Sequence, residues 1–156
     1  MNRDQKLHHE KKIDAWIEKS IRDQSPFLQA QIFSDLIHAL REQMVFKLSE
    51  VTWNAILERT LYQCQQDYPL LNELSIDGSG FTIDPNAAEF KNLKGAQVSE
   101  ALRFFLIELF TIIQNLTAGI LVKALYNELE RFSQSTYAMK SAERGTYDSE
   151  SNKRTH

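Results

Sequence analysis

Apolar residues recur along the chain at spacings of three and four, the signature of amphipathic helices. Over residues 4–23, Leu7, Ile13, Trp16, Ile17 and Ile21 fall on one stripe, and Lys6, Lys11, Lys12, Glu18, Lys19 and Arg22 cover the rest. Ser25-Pro26 then supplies an N-cap and a first-turn proline, which predicts a second helix over 26–47. Its inner face is Leu28, Ile32, Phe33, Leu36, Ile37, Leu40 and Met44, with His38 turned outward beside Ser34, Asp35, Arg41 and Glu42. Ser49 caps a third helix over 50–66, whose inner residues are Trp53, Ile56, Leu57, Thr60, Leu61 and Cys64, and Asp67-Tyr68-Pro69 ends it.

The period then changes. Leu74–Asp77 and Phe81–Asp84 alternate in polarity on either side of Gly78-Ser79-Gly80, which predicts a small β-hairpin. Two strands alone are marginal, so the hairpin has to lean on the helices. Asp84-Pro85 opens a short helical turn through Phe90, and Gly95 marks a boundary. Ser99 is a candidate cap of a long helix that runs to Phe132, kinked or divided near Asn115-Leu116-Thr117, although Ala96 onward can already be helical. Gly119 is its strong weakener, at about 1 kcal/mol relative to alanine. Leu102, Phe105, Leu109, Ile112, Leu116 and Ile120 lie on one line as core or interface candidates. Leu106, Phe110, Ile113 and Leu121 widen that line, and Leu125, Leu129 and Phe132 continue it. After Ser133 the apolar residues scatter without a period, so residues 134–156 read as a disordered tail behind a single helical domain at 1–133. The expected fold is mainly α: a bundle of four or five helices with a long C-terminal helix and a hairpin inserted near 74–84.

The stretch FFLIELFTIIQNLTAGILV, residues 104–122, raises the question of a membrane span. Glu108, Gln114 and Asn115 interrupt it, and a carboxylate in mid-membrane is costly, so no span is expected. A helix apolar around most of its girth is instead the centre of a bundle, or one that meets both its own domain and a partner.

Composition narrows the class. Five glycines and three prolines in 156 residues favour long helices over a turn-rich sandwich. A formal charge of −3 gives no basic stripe, so no nucleic acid is expected as a partner. A lone cysteine, Cys64, cannot make an internal disulfide, and MNRDQKLHHEKKIDAWIEKS lacks an apolar run of signal-peptide length, so a cytoplasmic location is expected.

Candidate chemistry is sparse. Aligning Gly78 with a calcium-loop glycine puts Gly80 where an apolar residue belongs and Asp84 where a bidentate Glu belongs, which disfavours calcium. The Gly78–Gly80 turn lacks the following GK[ST] of a phosphate loop. His8 and His9 are adjacent and diverge by about 100° on a helix. His38 between Asp35 and Glu42 reads as a solvated ion-pair face rather than a metal site. Cys64 lies on an inner face, where cysteine acts as a small hydrophobe. Glu108, with Thr111 and Asn115, makes a narrow polar strip and is the weak candidate for a cofactor-binding residue; no catalytic residue, metal or cofactor is expected.

Ser99-Glu-Ala-Leu-Arg-Phe-Phe-Leu-Ile-Glu-Leu-Phe, Asn115-Leu-Thr-Ala-Gly-Ile-Leu121 and Ala124-Leu-Tyr-Asn-Glu-Leu129 together resemble helical regulatory domains of bacterial signalling proteins. The resemblance implies a signalling role and carries no catalytic motif. The leading expectation is therefore a non-enzymatic regulatory or scaffolding domain that meets a protein partner helix on helix, most simply as a homodimer. A sensor bundle holding a small apolar ligand or cofactor, with Glu108 in the pocket wall, and a bacterial secreted effector are the alternatives.

Overall fold

A computed structural model of the chain describes residues 3–77, 80–83 and 92–133. The short turn expected at 84–90 and the tail at 134–156 lie outside the described residues.

The chain is mainly helical. Helix α1 spans Arg3–Ser20 and α2 spans Pro26–Leu48. Ser25 caps α2 as expected, its Oγ accepting from Leu28 N at 3.3 Å. Helix α3 spans Glu50–Gln65, capped by Ser49, whose Oγ accepts from Thr52 N at 3.3 Å. Ser49 closes α2 and opens α3 at φ 71, so a single residue turns the corner. Beyond α3, Pro69–Glu73 form a 3₁₀ turn that tucks Leu70 and Leu71 into the core. Strands β1 (Leu74–Asp77) and β2 (Gly80–Ile83) pair antiparallel, with Leu74 opposite Ile83 and Asp77 opposite Gly80. Strand β1 contacts α3 and β2 contacts α2.

The long C-terminal helix is divided. Helix α4 spans Gly95–Thr117 and residues 122–133 form a separate helix, α5. Ala118 adopts φ 50 and Gly119 φ 81, both left-handed, so the chain reverses where glycine makes reversal cheap. At the start of α4 the boundary falls at Gly95, and the Ser99 cap is corrected. Gln97 Oε1 accepts from Lys94 N at 2.9 Å, which opens the helix at Gly95. Ser99 therefore sits inside the helix, its hydroxyl donating at 2.9 Å to Gly95 O or to Gln29 Oε1 of α2.

Helix α4 is the axis of the molecule and touches α1, α2 and α3. Asp14 meets Arg103 and His9 meets Phe110, so α1 runs antiparallel to α4. Gln29 meets Ser99, and Phe33 sets its edge on Phe105 at 5.3 Å, so α2 runs parallel to it. Tyr68, just past α3, packs on Phe104, so α3 is antiparallel. Helix α5 folds back along α1, with Tyr126 beside His9, Glu130 on Lys12 and Phe132 near Trp16. The buried residues of all these elements join in one hydrophobic cluster.

Most expected inner positions are buried, including all six of α3. Two are corrected. Leu7 and Leu28 are exposed. Both face away from the neighbouring helices: Gln29 and Ala30 beside Leu28, and His9 two residues from Leu7, are buried at the same depth.

Candidate functional site

Among the candidate residues of α4, Leu102, Phe105, Leu109 and Ile112 are buried and covered from within the chain. Leu116 and Ile120, placed on the same line, are 59% and 80% exposed. Leu116 lies on a side of α4 left open by the described elements, and the left-handed turn swings Ile120 out of register. Those four candidates are thus core, and only the last two are available to a partner.

Those two have company. Phe46 at the end of α2 is 93% exposed and Val51 at the start of α3 is 80% exposed. Because α2 runs parallel to α4 and α3 antiparallel, the α2–α3 corner and the α4–α5 corner lie at one end of the molecule. That end carries large apolar side chains with no covering element among the described residues.

Glu108 is half-buried on the α4 flank that faces α3. Together with Asp67 it adds to the burial that pushes the Cys64 thiol up to about 12. No cation pairs with Glu108 among the described residues. Thr111, expected in the same polar strip, instead donates back to Ile107 O at 2.7 Å. His38 is exposed, as its place on the helix predicts. Among the described residues no group of three His, Cys, Asp or Glu side chains could hold a metal ion, and no helix is long and apolar enough to cross a membrane.

A different constellation emerges at His9. This residue is 1% exposed and heads the inward stripe of α1, which continues through Ile13, Trp16, Ile17 and Ser20. Its Nδ1 hydrogen-bonds the Tyr126 hydroxyl on α5, and the Phe110 ring meets it edge-on at 6.0 Å. Burial, with the charge of His8 second, lowers the His9 pKa, so the ring is neutral at pH 7. Burial pushes the Tyr126 phenol up to about 12, so it keeps its proton. The phenol can donate to Nδ1 or accept from it, according to which ring nitrogen carries the imidazole proton. Nε2 is buried and has no partner among the described residues. A buried polar atom left unpaired costs about 1–3 kcal/mol.

His9 and Tyr126 form part of the wall of an open cleft of about 580 Å³, completed by Asp4, His8, Gln114, Lys123 and the turn at Ala118-Gly119. Sequence reasoning missed it, although one signal was present: His9 precedes Ile13 by four residues and shares its face. Tyr126 carries no such mark, because only the reversal at Gly119 brings it to α1.

Compared with known proteins, the chain matches no family model, no curated protein and no solved structure.

Proposed function

We propose that the chain is a non-enzymatic regulatory or scaffolding domain that docks helix on helix through the apolar end of its bundle, and that it does so first with a second copy of itself. The observation that carries this is the exposure of Phe46, Val51, Leu116 and Ile120 at one end. Exposed apolar side chains gathered together cost free energy in water and mark contact surfaces. Charges of both signs lie near them: Lys47 and Glu50 at one corner, Lys123 at the other. A two-fold axis can set such a mixed surface against itself without like-charge conflict. The resemblance of α4 and α5 to signalling regulators supports the same class of role.

Sedimentation equilibrium at tens of micromolar tests the reading. A mass twice the 18.1 kDa of one chain is expected, falling to one chain in Ile120→Asp with helicity and unfolding midpoint unchanged. A wild-type mass near 18.1 kDa at every concentration would remove the homodimer. A ligand-sensing role is favoured by a separate observation, the polar cleft at His9.

A further inference from the structure

We propose that α5 is a proton-released arm: when the His9 ring takes up a second proton, α5 leaves α1 and swings on the Ala118-Gly119 turn while α2, α3 and α4 stay packed. The device goes beyond the docking and ligand-sensing readings and depends on neither.

The surroundings of His9 suit a neutral ring and not a charged one. A neutral imidazole has one donor and one acceptor, whereas the imidazolium has two donors and needs two acceptors. The Tyr126 hydroxyl serves Nδ1 in either state, because its oxygen can donate or accept. Nε2 is buried with no partner among the described residues, so a charged ring holds a buried N–H without an acceptor. The side chain is otherwise enclosed by rings, Phe110 and Tyr126, whose edges meet it at 6.0 and 5.7 Å. The charged and titratable groups nearby are Asp4, His8 and Lys12 on α1 and Lys123, Tyr126 and Glu130 on α5; α4 presents Phe110 and Gln114, which carry no charge. Of the two carboxylates, Glu130 is paired with Lys12 at 2.9 Å. Asp4 precedes His9 by five residues, about 7.5 Å along the helix axis. Burial first, and the charge of His8 second, hold the His9 pKa below 6.5, in keeping with this geometry. Freed from α5, the ring regains water and its ordinary pKa, so below pH 6.5 protons favour the open form.

Helix α5 is the element placed to move. It joins the bundle through two successive left-handed residues, Ala118 and Gly119, rather than through continuous helix. Three contacts tie it to α1: Tyr126 on His9, Glu130 on Lys12, and Phe132 near Trp16 at 6.3 Å. The first of these is the one that a proton disturbs, and the second is exposed and screened. Helices α2 and α3 pack on α4 directly, and α1 keeps its own bond to α4 through Asp14 and Arg103, so those contacts survive the departure of α5. Leu125 and Leu129 are buried, so the open form is a minor state at neutral pH that the proton enriches.

Amide hydrogen exchange of the full chain at pH 7.5 and 5.5, converted to protection factors to remove the intrinsic pH dependence, tests this. Opening at the amides of residues 125–133 should rise severalfold at pH 5.5, with a ceiling of about tenfold per pH unit for a single proton. The α2 and α3 amides around Phe33 and Trp53 should keep their protection. His9→Gln should abolish the pH response of α5, and His8→Gln, at an exposed position, should retain it. Unchanged protection of α5 in the wild-type chain, or an equal loss in α2, α3 and α5, would overturn the proposal without recourse to any variant. A wild-type pH response in His9→Gln would overturn it too. The same measurement on Ile120→Asp should give the same response, so failure of the dimer and failure of the arm are separate results.

Discussion

Tyr126 hydrogen-bonds His9 across 117 positions of sequence, joining the last helix to the first. Beside that bond, Lys12 sits over the Tyr126 ring at 5.8 Å and pairs with Glu130 at 2.9 Å. The ion pair is exposed and screened by solvent, so the part-buried hydrogen bond and the ring packing carry the α1–α5 contact. Tyr126→Phe keeps the ring and removes the hydroxyl, leaving His9 Nδ1 without its partner. Chemical denaturation should show a loss of about 1–3 kcal/mol. A change within error would mean that the bond contributes nothing net.

The same histidine makes stability depend on pH. Its folded pKa is depressed below the ordinary 6.5, so the unfolded chain binds the proton more readily. The contribution is fully present above 6.5 and is lost as pH falls below it toward the depressed folded value. Denaturation curves at neutral and mildly acidic pH should converge between wild type and His9→Gln as the pH drops. Parallel pH profiles for the two proteins would contradict a buried neutral imidazole.

The α4–α5 reversal makes opposite predictions for two adjacent residues. Ala118 holds a left-handed conformation that costs a non-glycine residue roughly 1 kcal/mol, so Ala118→Gly should be neutral or stabilising by a few tenths of that. At Gly119, φ is 81 and an added Cβ would come within 2.7 Å of Gln114 Nε2. Gly119→Ala should therefore destabilise by about 1–2 kcal/mol, measured as a shift of the urea midpoint. Equal effects at the two positions would show that the turn is not what divides the helix.

Within the stripe of α4, Phe105 and Ile120 should part company. Phe105→Ala empties a fully buried site against Phe33 and should cost about 3–5 kcal/mol. Ile120→Asp changes an exposed side chain and should move monomer stability by no more than about 0.5 kcal/mol. If Ile120→Asp unfolds the chain, the exposed end is part of the core after all.

Cys64 should react only when the protein opens. The thiol is buried and pushed up to about 12, so at neutral pH almost none is thiolate. Labelling with a thiol reagent should follow the rate and denaturant dependence of unfolding. Fast labelling of the folded protein would place Cys64 in a mobile or open part of the core.

Local chemistry alone determined much of this chain. Ser25-Pro26 and Ser49 start helices because a hydroxyl can meet an orphan amide within three residues, whatever surrounds them. The three-and-four spacing of Trp53, Ile56, Leu57, Thr60, Leu61 and Cys64 selects a face, because a helix has only one period. What the pattern could not fix is how far along a face the neighbours reach. Leu102 and Leu116 belong to the same stripe, yet one is core and the other open, because cover depends on how the neighbouring helices pack around α4 at each level. The cleft was hidden for the same reason: His9 and Tyr126 meet only after Ala118 and Gly119 reverse the chain, and nothing in the residues around Tyr126 points to helix α1. Periodicity and capping act over a few residues and are written locally; burial and pairing between distant segments depend on where whole helices stop and turn, which only the packed molecule decides.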